Sequence, residues 1–387
     1  MSLDFDAVTD RRDTLSYKWD SVEPDVLPMW VADMDFPTAP CVRHALAARM
    51  EHGIFGYTRV PEEYYEATIR WFDTRHGWRP ARDHFLYTSG VVPAISAIIK
   101  AVTRPGDGVV VLTPVFNCFF SSIRNNGCTA LQCPLTLTSG GYRIDWLALD
   151  ALCARPDAKV LLLCNPHNPG GRVWSRSELE QIALMAARHR IFVISDEIHC
   201  ELTFPRHDYT PYGSLGEEAA ANAAICVSPS KAFNIAGLQI ASIVIPDAEV
   251  RARTDRAINI NEVCDVNPFG PAATIAAYTA GTPWLDALRG YLWDNYMYLC
   301  DYMRDNLPEV GVVPLESTYL AWLDMRATGL APAEVEERLK AERLYLSPGE
   351  IFGEGGEGFM RLNFACPRTV LAEGLRRLTR GLRRSKA

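Results

Sequence analysis

Continuous apolar runs that each end in a polar or glycine-rich loop recur between residues 85 and 245, and they constrain the fold more than any other feature. These runs occupy residues 109–112, 160–164, 191–195 and 224–227. Segments with the apolar spacing of helices separate them. A strand without a polar face is buried on both sides, as in parallel sheets that helices cover. The pattern therefore predicts an α/β fold with a mostly parallel sheet.

Polar residues that could bind a ligand or take part in catalysis follow the ends of these predicted strands. They are Ser89, Asn168, Asp196 and Lys231. Taken singly, each has an ordinary interpretation, such as a helix cap, an ion pair or a loop lysine. Ligands of such sheets bind at the carboxyl ends of the strands, so four residues at this kind of position favour one shared site.

Composition narrows the classes of function. The chain has 387 residues, 48% of them hydrophobic, which is enough for a large core and two domains. A net charge of −8 argues against nucleic-acid and anionic-membrane surfaces. No segment has the apolar length of a membrane span, and residues 1–10 lack the core of a signal peptide. The eleven cysteines are scattered without metal or redox spacing, which predicts free thiols in the cytoplasm and no metal site.

The pattern of predicted secondary structure changes after residue 283. Residues 284–303 form a long helical pattern, and short strand candidates follow from residue 312. We expect residues 45–283 to form a large cofactor-binding domain. Residues 284–387 would form a small domain with a connecting helix, to which residues 1–44 also belong.

The segment Ser228-Pro-Ser-Lys231 follows a buried strand, and a desolvated lysine is a good nucleophile for Schiff-base chemistry. Ser89 and Gly90 precede a helix whose free amides favour an anion. Asp196 suits the protonated nitrogen of a pyridine ring, and Asn168 suits a ring oxygen. These are the groups that a phosphorylated pyridine aldehyde requires. Arg361, between apolar residues near the C-terminus, suits a substrate carboxylate.

Several motifs resemble the fold-type I pyridoxal-phosphate enzymes of the aspartate aminotransferase superfamily. They are Asn168-Pro-Gly-Gly, Asp196-Glu-Ile-His199, Ser228-Pro-Ser-Lys231 and the segment around Arg361. Other segments are similar to the MalY/PatB group of cystathionine β-lyases within that superfamily. These are residues 28–36, with the sequence PMWVADMDF, and residues 55–58, 89–94 and 230–238.

The resemblance implies a large domain, with a mostly parallel sheet between helices, and a smaller α+β domain. It implies that Lys231 bonds the aldehyde of pyridoxal 5′-phosphate and carries the proton at the substrate Cα. Asp196 would pair with the ring nitrogen, and Asn168 and His199 would approach the ring oxygen. Residues implied to hold the phosphate are Ser89, Gly90, Val91, Ser228 and Ser230.

The remaining implied roles concern the ring face, the substrate and a second subunit. Phe116 would stack on the cofactor ring, and Arg361 would bind the substrate α-carboxylate. Tyr57 would serve the phosphate in the neighbouring subunit, which implies a homodimer with shared active sites.

Three positions depart from the family pattern. Gly170 stands where threonine is usual, which loosens that turn, and Phe116 replaces a tyrosine and so lacks its hydroxyl. Gln239 stands where aspartate aminotransferases place a phosphate-binding arginine. The last departure agrees with the lyase group.

The function implied is a pyridoxal-phosphate-dependent carbon–sulfur β-lyase. Cystathionine or an S-substituted L-cysteine would yield a thiol, pyruvate and ammonia. An aminotransferase is the alternative within the same superfamily, because the two reactions begin identically. A regulator built on a degenerate fold is a third reading, which the complete set of Lys231, Asp196, Asn168 and Arg361 disfavours.

Overall fold

The computed structural model describes residues 3–261 and 266–383. Within these ranges the helices are α1 (Pro40–His52), α2 (Glu62–His76), α3 (Val91–Val102), α4 (Cys118–Asn125), α5 (Trp146–Cys153), α6 (Arg176–His189), α7 (Glu217–Ala221), α8 (Ala248–Asn259), α9 (Gly270–Ala280), α10 (Thr282–Asn306), α11 (Pro332–Ala341) and α12 (Arg368–Arg383). The strands are β1 (Leu27–Pro28), β2 (Phe85–Thr88), β3 (Gly108–Thr113), β4 (Thr129–Pro134), β5 (Thr136–Thr138), β6 (Gly141–Arg143), β7 (Ala158–Cys164), β8 (Phe192–Asp196), β9 (Ala223–Val227), β10 (Ala241–Val244), β11 (Gly311–Val312), β12 (Leu320–Asp324), β13 (Leu344–Tyr345), β14 (Ser347–Pro348) and β15 (Phe359–Asn363).

The main sheet has the strand order β2-β10-β9-β8-β7-β3-β4. Neighbouring strands from β9 to β4 are parallel, whereas β10 is antiparallel to both β9 and β2. Strand β2 therefore runs in the same direction as the parallel strands. Strands β3 and β9 are buried along their whole length, as expected for a sheet covered on both faces. The predicted fold class is confirmed.

Local sequence signals account for several of the helix ends. Helix α6 begins with a capping box in which the Ser175 hydroxyl accepts from the amide of Glu178. The carboxylate of Glu178 in turn accepts from the Ser175 amide, at 2.8 Å. Helix α2 ends at Gly77, whose φ of 63° is the left-handed conformation that glycine tolerates best.

A second sheet, with the order β11-β12-β15-β14, follows the long helix α10. Its inner strand β15 carries Arg361, which pairs in register with Trp322 of β12. Strand β1, near the start of the chain, pairs in parallel with β13 from the C-terminal part. Residues 27–28 of the N-terminal segment therefore pair with residues 344–345 of the C-terminal part, while the domain boundaries given above stay a prediction.

No helix in the described ranges is long and apolar enough to cross a bilayer. Nor do those ranges contain a cluster of three or more His, Cys, Asp or Glu side chains that could hold a metal ion. The cysteines that the structure describes are free thiols.

Candidate active site

One cavity of about 200 Å³ lies at the carboxyl edge of the main sheet. The loops after β2, β3, β7, β8 and β9 all reach this edge, because these strands share one direction. The residues that line the cavity are Ala32, Ser89, Gly90, Val91, Val92, Pro93, Phe116, Cys164, Asn168, Asp196, Ile198, His199, Ser230, Lys231, Ala236, Gln239 and Ile240. Most of the predicted site residues thus surround a single space, although their roles remain predictions.

The start of helix α3 forms one wall. Gly90 is its N-cap residue, so the amides of Val91 and Val92 lack partners within the helix, and both residues line the cavity. Ser89 and Ser230 add hydroxyl groups to the same wall. Free amides, the helix dipole and hydroxyl groups together suit a phosphate.

Ser228 is buried behind that wall rather than in it. Its hydroxyl lies 2.6 Å from the Ile240 carbonyl and 2.6 Å from the Ser230 hydroxyl. It also accepts from the Ser230 amide at 3.1 Å. Ser228 therefore fixes Ser230, the serine that lines the cavity, and this indirect part differs from the direct contact that we expected of it.

Lys231 extends into the cavity from the loop after β9. Its amine donates to the Ala32 carbonyl at 2.6 Å. Removal from water and the nearby Arg361 guanidinium lower the pKa of this amine to about 8, against an opposing effect of Asp33 and Asp196. The ammonium form still predominates at physiological pH, but the neutral fraction, which a nucleophile or a base requires, is far larger than for an ordinary lysine.

Asp196 ends β8 and is 3% exposed. Its carboxylate accepts from the Ile198 amide at 3.2 Å, and no side chain among the described residues donates to it or forms a salt bridge with it. Burial raises the pKa of Asp196 to about 7, although the Ile198 amide and Lys231 act in the opposite direction. A buried carboxylate with so little compensation suits a cationic or N–H-bearing ligand.

Arg361 approaches the site from strand β15 of the second sheet. One of its terminal nitrogens donates to Asn168 Oδ1 at 3.2 Å, and the other donates to the Trp30 carbonyl at 2.9 Å. Its Nε is buried without a hydrogen-bond partner, and its guanidinium lies 4.8 Å from the centre of the Phe352 ring. The unused donor fits a carboxylate ligand.

His199 is buried on the cavity wall, and its Nδ1 also has no partner. Burial, with Lys231 and Arg361 nearby, lowers the pKa of His199 to about 3, so the ring is neutral. These unsatisfied groups, together with the carboxylate of Asp196 and the wall at α3, fit the donors and charges of pyridoxal 5′-phosphate. The described residues therefore supply the charges and hydrogen-bonding groups that this cofactor requires.

The departures from the family pattern have identifiable surroundings. A Cβ on Gly170 would lie 2.8 Å from Tyr142 and 3.0 Å from His167, so the turn is tight rather than loose. Phe116 and Gln239 both line the cavity. Gln239 has a φ of 51°, a left-handed backbone conformation, in the loop before β10.

Tyr57 lies apart from the cavity of its own chain. Its side chain is 99% exposed, and the neighbouring Ile54 and Phe55 are also more than half exposed. Sequence reasoning missed Tyr319, whose hydroxyl donates to Ala32 O at 2.9 Å. It also missed Asn234, which binds residues 34 and 36, although an asparagine in a small-residue loop was a weak signal for its left-handed backbone.

Comparison with known proteins agrees with this geometry. The model of the family described as "Aminotransferase class I and II" matches residues 24–378. The chain is 41% identical over 386 residues to cystathionine beta-lyase PatB of Bacillus subtilis, covering 98% of this chain and 100% of that protein. It is 37% identical to protein MalY of Escherichia coli, covering 98% and 99% of the two chains. The structure of cystalysin from Treponema denticola, which contains a pyridoxal 5′-phosphate cofactor, superposes with a TM-score of 0.96 at 34% identity and 99% coverage of both chains.

Proposed function

This chain belongs to the aminotransferase class I and II family, and from that premise we propose that it is a pyridoxal 5′-phosphate-dependent carbon–sulfur β-lyase. One observation carries the proposal. The amine of Lys231 and the uncompensated carboxylate of Asp196 line the same cavity as the free amides of α3. The lyase name of the Bacillus subtilis relative favours β-elimination over amino transfer.

The residues would hold the cofactor at three points. The first turn of α3 with Ser89 and Ser230 binds the phosphate, and Asp196 keeps the ring nitrogen protonated. Asn168 and His199, which line the same cavity, would hold the ring oxygen. When bound, pyridoxal 5′-phosphate supplies an aldehyde for the substrate amine and a ring that withdraws electrons from Cα.

The protein groups orient the substrate and move its proton. Arg361 binds the α-carboxylate through its unused Nε, and Asn168 steadies the guanidinium from one side. Lys231, with its lowered pKa, removes the proton from Cα. The Cβ–S bond then breaks, and the electron pair leaves with sulfur as a thiolate. With one water, cystathionine yields homocysteine, pyruvate and ammonia.

Tyr57 and the exposed side chains near it support a homodimer with shared active sites. A tyrosine that is 99% exposed beside exposed Ile54 and Phe55 is unusual for a surface without a partner. In the proposed dimer, Tyr57 reaches the phosphate site of the other subunit. We further propose a cytoplasmic location, in keeping with the free thiols of the described residues.

The experiment that tests the proposal is a product assay with labelling of the cofactor lysine. Purified protein with cystathionine or an S-alkyl cysteine should release equal amounts of pyruvate, ammonia and thiol without added keto acid. Borohydride reduction should fix the cofactor on the peptide that contains Lys231, and Lys231→Ala should abolish turnover. Turnover that depends on a keto acid and produces its amino acid would identify an aminotransferase. Label on Lys159, which is exposed and donates to the Pro156 carbonyl, would refute the assigned site.

A further inference from the structure

A short loop crosses the cavity, and its backbone carbonyls point toward the side chains of the site. We call residues 30–36 the strap. The Trp30 carbonyl accepts from Arg361 at 2.9 Å, and the Ala32 carbonyl accepts from Lys231 at 2.6 Å. The two cationic groups of the proposed mechanism are therefore both bonded to one loop.

The Ala32 carbonyl accepts from two side chains. Besides Lys231 Nζ, the buried Tyr319 hydroxyl donates to it at 2.9 Å. A carbonyl oxygen has two lone pairs, so both bonds can exist together. Sharing one acceptor atom makes the tyrosine hydroxyl and the lysine amine close neighbours, although 88 positions separate them in the sequence.

Asn234 ties the strap to the loop that carries the lysine. Its amide group donates to the carbonyls of Met34 and Phe36 at 2.9 Å each and accepts from the Met34 amide at 3.0 Å. Its φ of 53° is one that asparagine tolerates better than most residues. Asn234 lies only three residues after Lys231, so the strap and the amine keep a fixed relation.

A buried cluster of ion pairs holds the same end of the strap at Asp35. Asp35 accepts from Lys18 at 2.8 Å and from Arg11 at 2.7 Å, and Lys18 is only 1% exposed. Trp19 adds a third donor at 2.8 Å. Asn363 donates to the carbonyls of Val31 and Asp33, at 2.6 Å each, so Ala32 is also held on both sides and its carbonyl stays beside the amine.

We propose that Tyr319 is a positioning residue for the Lys231 amine and acts through the Ala32 carbonyl that both groups share. The proposal rests on the function proposed above, in which the amine leaves the cofactor when substrate binds and must then reach Cα. The tyrosine hydroxyl orients the carbonyl. Because it occupies one lone pair of the oxygen, it also makes the carbonyl a weaker acceptor for the amine. The carbonyl then holds the free amine in place without strongly favouring its protonated form.

The test uses the cofactor-loaded protein and 2-aminoisobutyrate, an amino acid without a Cα proton or a leaving group. Its binding, measured by the cofactor absorbance, requires Lys231 to stay free. Tyr319→Phe removes one hydroxyl and should weaken this binding about threefold to tenfold, the range for one neutral hydrogen bond. Tyr64→Phe is the matched control, because its buried hydroxyl bonds Ser242 at 2.7 Å outside the cavity, and it should bind the probe normally.

A second measurement separates positioning from a general loss of structure. The pH profile for exchange of the Cα proton of L-alanine with deuterium reports the Lys231 amine. The acid limb of this profile should move to higher pH in Tyr319→Phe. Without the tyrosine hydroxyl, the Ala32 carbonyl accepts more strongly from the ammonium form of Lys231, which raises the pKa of the amine. An unchanged limb with unchanged probe binding in the folded variant would overturn the proposal.

Two further outcomes have defined meanings. If Tyr319→Phe does not fold, Asn234→Gly keeps the backbone conformation and releases the strap, and it must weaken probe binding similarly. Normal binding by Asn234→Gly then refutes the positioning role. No absorbance change with the native protein would contradict the proposed function itself, and the positioning role with it.

Discussion

Asp196→Asn should stabilise the cofactor-free protein at pH 8, although it removes a residue of the proposed site. The carboxylate is 3% exposed and accepts a hydrogen bond from the Ile198 amide. Burial is the main reason that its pKa rises to about 7. A neutral asparagine of similar shape avoids the cost of burying the charge.

The size of the effect follows from the two pKa values. The pKa of Asp196 is about 7 in the folded protein and 3.8 in the reference state, and this difference corresponds to about 4 kcal/mol as an upper limit. Below pH 3.8 both states are protonated and the carboxyl group costs nothing. Between the two values only the unfolded state is ionised, so native stability falls as pH rises. Above about pH 7 the loss is complete, and the advantage of the asparagine variant is greatest.

The assay is urea unfolding of the cofactor-free proteins over the range from about pH 4 to pH 8. The control is Asp35→Asn, which changes an equally buried carboxylate that bonds Lys18 and Arg11. That variant removes the nearest carboxylate from the buried Lys18, which keeps only Asp33 at 3.7 Å, and should lose about 3–5 kcal/mol. If Asp196→Asn also lowers stability at pH 8, Asp196 already has a stabilising partner. The reasoning that its charge is arranged for a ligand would then be wrong.

Three further changes test the site and the proposed dimer. Arg361→Ala should raise KM strongly, because truncating one partner of a desolvated charge pair costs about 2–5 kcal/mol, whereas the exposed Arg326→Ala should leave KM unchanged; an equal effect of both would refute the carboxylate role. Gly170→Thr should lower the melting temperature through the contact with Tyr142, at about 1–3 kcal/mol, and an unchanged melting temperature would contradict the tight turn. Mixed Tyr57→Phe and Lys231→Ala chains, each inactive alone, should regain activity in hybrid dimers, and a fully active monomer would exclude a shared site.

The fold and the edge of the sheet that carries the site could be predicted from local patterns. Buried strands without a polar face indicate a parallel sheet, and the residues after them must meet at one edge. Asn168, Asp196 and Lys231 meet there for this reason. These predictions needed only the type of each element and the chain direction.

Contacts between distant segments were not predictable in this way. Lys18 lies in a polar stretch without periodicity, and nothing local indicates that Asp35 buries it. The bond from Tyr319 to Ala32 depends on a strand from the small sheet meeting a loop near the start of the chain. Ser228 and Ser230 belong to one short motif, yet only Ser230 lines the cavity, whereas the Ser228 hydroxyl bonds the distant Ile240 carbonyl.

The charges of the cavity explain why these distant contacts matter. Arg361 disfavours the protonated form of Lys231, and burial lowers the pKa of both groups, to about 8 and about 10. Burial raises the pKa of Asp196 in the opposite direction. A ligand with a phosphate, a carboxylate and a protonated ring nitrogen compensates all three groups, whereas water or a simple anion compensates only some of them. The carbonyls of the strap bond Lys231 and Arg361 in the absence of such a ligand, and under the proposed function the anchors at Asn234 and Asp35 would serve the site as well as its stability.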